Sequence, residues 1–143
     1  MTYVTKQGLV DRFGERELIQ LTDRTHKPPT EINDVPVTRA IGDAVALVDS
    51  YVGKRYDLPL QIVPPVLEKN AADIARYYLH GEAAGEDSIV TRNFEAALSW
   101  LKDVSKGTVL IDVGGEVPGQ AGGGSIKANP SNRVMRRETL KGL

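Results

Sequence analysis

DSYVGKRYDLPL, residues Asp49 to Leu60, followed by VPP at Val63 to Pro65, decides how this chain folds. A helical pattern runs into this stretch and ends there. Gly53 is the first breaker. Pro59, Pro64 and Pro65 then forbid a continuous helix, because proline lacks the amide donor and its ring clashes with the preceding turn. A new helical pattern begins directly after the proline pair. The stretch therefore predicts a rigid elbow between two helices, carrying Tyr51 and Tyr56 together with the cations Lys54 and Arg55. Nothing in it has the pattern of an activated nucleophile, a metal cage or a phosphate loop. An elbow that fixes the angle between helices points toward assembly rather than chemistry.

Working outward, Val37 to Val52 is the clearest amphipathic helix, with Val37, Ile41, Ala44, Val45, Val48 and Val52 at steps of three and four. Asp34 is its expected cap, and Pro36 suits its first turn. Gly42 costs roughly 1 kcal/mol relative to Ala inside a helix and is expected to permit close packing. Beyond the elbow, Pro65 to His80 predicts a helix with a broad, nearly all-round apolar surface, through Val66, Leu67, Asn70, Ala71, Ile74, Tyr77, Tyr78 and Leu79. A helix covered on most sides is either central to a bundle or packed on a second copy. Gly81 ends it, and Ala83 to Asp87 reads as a turn. A last helix runs from about Asp87 to Lys106, with Val90, Phe94, Ala97, Leu98, Leu101 and Val104 on one face and Trp100 off its centre. Gly107 suits the position just past its end.

Toward the N-terminus, Thr5 is the expected N-cap of a short helix over Lys6 to Phe13. Gly14 interrupts, and Glu15 to Leu21 resumes helical spacing. Thr22 to Val35 holds Pro28-Pro29 and Asn33-Asp34 and predicts a loop. Its length of about 14 residues is near the upper end for a compact domain, which makes it a candidate contact loop.

The chain has 143 residues, enough for one domain and one core. Its formal charge is −1, so it lacks the overall footprint of a nucleic-acid binder. The charge is unevenly placed. Residues 1–113 carry 13 Lys and Arg against 17 Asp and Glu, a balance of −4, whereas residues 114–143 carry 5 against 2, a balance of +3. The absence of Cys excludes disulfides, thiolate metal sites and Cys nucleophiles. No apolar run approaches the roughly 20 residues of a membrane-spanning helix. The N-terminal MTYVTKQGLV lacks the layout of a signal peptide. A soluble, non-exported protein is expected.

After Gly107 the character changes. Thr108 to Asp112, TVLID, is β-prone. Gly114 to Ser125 has six Gly and one Pro and reads as a linker. The remaining IKANPSNRVMRRETLKGL is basic, with Ile126, Val134, Met135, Leu140 and Leu143 as scattered apolar anchors, and is too short to bury a core alone. The expected fold is thus mainly α. A bundle of four to five helices occupies residues 1–113, and a Gly-rich linker with an extended basic arm occupies 114–143. A short β-hairpin between 108–113 and part of 126–135 is an open alternative for the arm.

Catalytic patterns fail in detail. Gly119 and Gly124 have the spacing of P-loop glycines, but Ser125 stands where Lys is required, and Asn129-Pro130 prevents a following helix. His26 and His80 are the only imidazoles and form no HxxxH or HExxH, so no metal or cofactor site is expected. His80 with Glu82 makes a conceivable binding pair, against the plainer reading of a histidine favoured by the helix C-terminus. Asp43, Asp49, Glu68 and Glu95 fall on expected solvated faces. Asp73 and Arg76, three apart, are expected to pair along their own helix. The elbow's Lys54, Arg55 and Tyr56 are candidate phosphate or partner contacts, with snorkelling cations and a gap-filling Tyr as the alternative. The arm's Arg133, Arg136, Arg137 and Lys141 fit nucleic acid or an acidic surface, and the interspersed Val134, Met135 and Leu140 favour a protein groove.

Four segments, in order, carry a resemblance: YVTKQGLVDRFGERELIQLTDR from Tyr3 to Arg24, SYVGKRYDLPL from Ser50, VPPVLEKNAADIARYYLH from Val63 to His80, and the closing RRETLKGL from Arg136. Together they resemble the Mu-like bacteriophage neck proteins, also called head–tail connectors or adaptors. The resemblance implies a small helical subunit, without catalytic residues or cofactor, that assembles into a dodecameric ring. Such a ring sits between the portal protein and the tail, meets a tail-terminator or other tail proteins, and lets genomic DNA pass through its lumen without sequence-specific contact. It implies a place in the virion neck, with the host cytoplasm as the site of assembly and no membrane partner. Candidate subunit or portal contacts are Lys54, Arg55, Tyr56, Trp100, Arg133, Met135, Arg136, Arg137 and Leu140. A second hypothesis is a small accessory protein that binds DNA through its basic arm, with strongly salt-dependent affinity.

Overall fold

The computed structural model describes residues 2–115. The fold is mainly α, with five helices: α1 (Lys6–Phe13), α2 (Glu15–Thr22), α3 (Asp34–Val52), α4 (Pro65–His80) and α5 (Ile89–Lys106), plus a single 3₁₀ turn at Gly81–Ala83. Helices α3, α4 and α5 pack on one another. The α1–α2 pair lies across α3 and α4 and does not touch α5. Most apolar stripes expected from the sequence point into one core.

Helix α4 is the middle of that core. Asn70 through Ala75 are buried without a break, along with Leu67 and Leu79. Three alanines in this run, Ala71, Ala72 and Ala75, keep the surface narrow enough for α3 and α5 to approach from different sides. Ile74 and Leu67 fill the space between, each worth roughly 1.5–3 kcal/mol of burial. Of the two explanations for its broad apolar surface, the fold satisfies the first: the helix is central to its own bundle. Tyr77 and Phe94 stack across α4 and α5 at 3.9 Å between ring centres and 7° between planes.

Helix boundaries follow local hydrogen bonding. Thr5 caps α1 by accepting the Gly8 N–H at 3.1 Å. Asn33, not Asp34, caps α3: its side-chain oxygen accepts the Val35 N–H at 3.0 Å, so the helix begins three residues earlier than the apolar pattern does. Ser88 caps α5 through the Thr91 N–H, which moves that start from Asp87 to Ile89. Gly42 does not mediate close packing. It is exposed, and open space surrounds the position a Cβ would take. Its stretch of α3 faces solvent.

The β-prone run 108–113 forms no strand in a sheet. It lies extended against the elbow, with Ile111 and Val113 buried and Leu110 and Asp112 facing out. Its partner is the elbow itself, because Val113 accepts the Ile62 N–H at 3.1 Å. The hairpin alternative with 126–135 involves residues outside those described, as does most of the Gly-rich stretch.

Candidate interaction surface

The elbow leaves α3 in a tight, hydrogen-bonded turn. The amides of Arg55 and Tyr56 both return to the Val52 carbonyl at 3.0 Å. Gly53 is required here, since a Cβ would sit 2.8 Å from the Asp49 carbonyl oxygen and 3.2 Å from Leu58 Cδ1. Tyr56 then turns inward. It is buried, and its hydroxyl accepts the Ile111 N–H at 2.9 Å, joining the elbow to the segment after α5. The gap-filling reading of Tyr56 is therefore the one its position supports. Lys54 is exposed, with its ammonium 5.3 Å from the centre of the Tyr51 ring. Arg55 is half-buried. Trp100, also half-buried, packs on the core from α5, far along the sequence from the elbow. Arg133, Met135, Arg136, Arg137 and Leu140 lie outside the described residues.

The contact loop is closed at both ends by side chains. Thr22 Oγ1 accepts the Asn33 N–H at 3.0 Å, which brings the loop's two ends together in the manner of an Ω-loop. Inside it, Asp23 accepts the amides of Thr30 at 2.9 Å, Thr25 at 3.0 Å and His26 at 3.1 Å, and faces His26 Nδ1 at 2.9 Å. With its carboxylate satisfied inward, every residue from 24 to 31 is exposed. These donors, Thr30 first, hold the Asp23 carboxyl well below the usual carboxylate range. A depressed folded-state pKa contributes stability that is present above the unfolded value of about 3.9 and is lost as pH falls. Acidification below about pH 4 should therefore loosen the loop first. Amide exchange at Thr25, His26 and Thr30 should accelerate in wild type, and Asp23→Asn should remove most of that pH dependence. An unchanged acid response in Asp23→Asn would refute this role.

Beside the loop, a groove of about 350 Å³ opens between the end of α2, the start of α3 and the end of α4, lined in part by Leu21, Arg24, Arg39, Asp43 and Tyr78. Burial, then the nearby Asp43 charge, raises the Tyr78 phenol above its ordinary pKa.

Three sequence-based pairings change. Arg76 does not pair with Asp73. It forms a two-pronged bond to Glu17 on α2 at 2.6 and 2.9 Å, while its guanidinium lies 4.5 Å over the Phe13 ring. Asp73 instead meets Lys69 at 2.9 Å, one turn away, in an orientation that gives an ion pair without a hydrogen bond. His80 faces Glu17 at 3.3 Å rather than Glu82. Asp49 is not on a solvated face either, because it is half-buried and accepts the Tyr3 hydroxyl, which ties the N-terminal segment to α3. Burial and this bond raise the Tyr3 phenol well above its usual pKa. Among the described residues, no group of three His, Cys, Asp or Glu is placed to hold a metal ion, and no helix is long and apolar enough to cross a membrane.

The surfaces of this fold are thus loops and edges braced by buried polar bonds. Sequence comparison gives them a family. The family model described as "Bacteriophage Mu, Gp36" matches residues 3–128. The chain belongs to the Mu Gp36 family. Its relatives within this phage group include the "Mu-like prophage FluMu protein gp36" of Haemophilus influenzae, 28% identical over 142 residues, covering 99% of this chain and 97% of the relative. A second is "Gene product J" of Escherichia phage Mu, 30% identical over 107 residues, covering 75% of this chain and 74% of the relative. The Gp36 match takes in the whole described domain, including the elbow and the loop, and extends into the Gly-rich stretch.

Proposed function

We propose that this Gp36-family chain is a structural subunit of the phage neck, forming a dodecameric ring between portal protein and tail. The observation that carries this is the match of residues 3–128 to the Mu Gp36 family, which takes in three of the four segments that resemble the neck proteins. The physical features are consistent with it. A core centred on α4 lets one copy fold before any ring exists. The balance of −4 over residues 1–113 suits a wall past which DNA must slide, since like charge prevents adhesion. A closed ring repeats each contact, so weak individual contacts add up. The subunit acts by shape and adhesion rather than catalysis. Its partners are further copies, the portal, and tail-terminator or other tail proteins. DNA crosses the lumen without base-specific contact. The ring assembles in the host cytoplasm and ends in the virion.

The test is electron microscopy of a lysate from a phage lacking this gene. Filled or leaking heads beside complete free tails are expected. Ordinary joined virions would reject the reading.

A further inference from the structure

Six large apolar side chains stand exposed among the described residues, and four of them lie on the elbow or against it. Leu58 and Ile62 are on the elbow itself, Val66 is in the first turn of α4, and Leu110 is on the segment that leans on the elbow. Ile62 is 57% exposed. Water-facing apolar side chains gathered in this way mark a surface that another chain covers. Beside them, 108–113 presents a backbone edge. Its inner side is held by the Ile62–Val113 and Tyr56–Ile111 bonds, and its outer residues, Leu110 and Asp112, face solvent. An extended edge next to apolar side chains is the geometry that receives an added strand.

The chain itself leaves the domain at this place. Gly114 has a φ of +77°, a left-handed conformation that favours glycine, and it passes close to the patch, with Ile62 Cδ1 2.8 Å from the position a Cβ would take. Beyond it come the Gly-rich stretch 114–125 and then 126–143, in which Ile126, Val134, Met135, Leu140 and Leu143 alternate with cations. Exposed carboxylates at Asp57 and Asp112 stand on this face together with the exposed Lys54, so the arm's cations meet a mixed charge with two acidic sites.

We propose that the elbow patch receives residues 126–143 of a second copy of this chain, so that each copy gives its arm to the next. The linker is long enough to reach a second copy. Covering a patch that begins at its own root needs only a short turn, whereas a Gly-rich stretch of 12 residues has a typical reach of about 20 Å and a limit of about 40 Å. A domain of this size has a radius of gyration of about 13 Å, which puts equivalent points on touching copies on the order of 30 Å apart. Arm exchange of this kind is head-to-tail and closes a ring when the rotation permits. The inference deepens the neck reading and rests on it only in requiring that copies assemble.

The lack of native Cys makes the test clean. Concentrated full-length Leu110→Cys chain is mixed with full-length Met135→Cys or Leu140→Cys chain and treated with a short bis-maleimide. At least one mixture should give roughly tenfold more cross-linked dimer than the same arm variant mixed with Ile89→Cys, a preference of about 1.4 kcal/mol. Ile89 is as exposed as Ile62 but lies at the start of α5. Adding Ile62→Glu to the Leu110→Cys chain should abolish that excess. Dimer no greater than in the Ile89→Cys control overturns the proposal. So does a Leu110→Cys/Leu140→Cys chain that links only within itself. Separated heads and tails in the gene-deleted phage, with no cross-link here, would remove the arm exchange and leave the neck reading standing.

Discussion

Tyr56→Ala is expected to lower stability by roughly 3–5 kcal/mol, the cost of deleting a buried aromatic ring that its surroundings cannot refill. The loss should have a local signature. Tyr56 is 5% exposed, and its hydroxyl accepts the N–H of Ile111, itself buried. Tyr56→Phe keeps the ring and removes the acceptor. That leaves a buried amide without a partner, which costs about 1–3 kcal/mol. Urea unfolding should rank the variants wild type, Phe, Ala. Amide exchange at Ile111 should quicken strongly in Tyr56→Phe, while exchange in the middle of α4 falls only with global stability. If Ile111 exchange is unchanged in Tyr56→Phe, the hydroxyl does not hold the elbow to 108–115, and the edge invoked for arm exchange loses its brace.

The helices were readable because their signals are local. Apolar steps of three and four, Thr5 before α1, prolines before α4 and Gly107 after α5 each act within one turn of chain. The start of α3 was misread by three residues for a local reason too. Asn33 and Asp34 are both good caps, and the apolar stripe begins only at Val37, so pattern alone favours the later start. At Gly42 the expected close packing does not occur, because a helical glycine permits it only where a neighbour lies on that face, and none of the described residues does. The β-prone run reads correctly as extended, but propensity cannot say that its partner is a proline-rich elbow about fifty residues earlier.

Side-chain partnerships were the least legible part. Asp73 and Arg76 are three apart on one helix, a spacing that signals a pair, but Lys69 and Asp73, four apart, signal one equally and are the pair that forms. The fold overrides the first because α2 crosses α4 at that height and brings Glu17 within reach of the guanidinium. Asp23 gave no signal at all, since its partners are mostly backbone amides of the loop it organises. The elbow was legible as a feature, and its cations drew attention first. The structure shifts the weight to Leu58, Ile62 and Leu110, whose exposure no pattern in the sequence singles out.

Glu17→Ala should cost about 2–3 kcal/mol near neutral pH, less than the 3–5 of a fully buried pair because both partners keep some contact with water. The Glu17 side chain is 25% exposed and that of Arg76 18%. Removing Glu17 leaves Arg76, among the described residues, with its position over the Phe13 ring, and takes away the acceptor facing His80. A double-mutant cycle with Arg76→Ala should show strong coupling, so that the double variant is less destabilised than the two single losses summed. The pH dependence has a defined sign. Burial alone would raise the Glu17 pKa, but the Arg76 and His80 bonds and charges overcome it and hold the group below its ordinary 4.5. Its contribution is therefore present above that value and lost as pH falls below it. The gap between wild type and Glu17→Ala should narrow as pH falls below that value toward about pH 3. Asp23 titrates in both proteins, so comparing them isolates Glu17. A gap that stays constant across this range would mean that Glu17 acts by packing between α2 and α4, and that its charge does not hold the α1–α2 pair against the bundle.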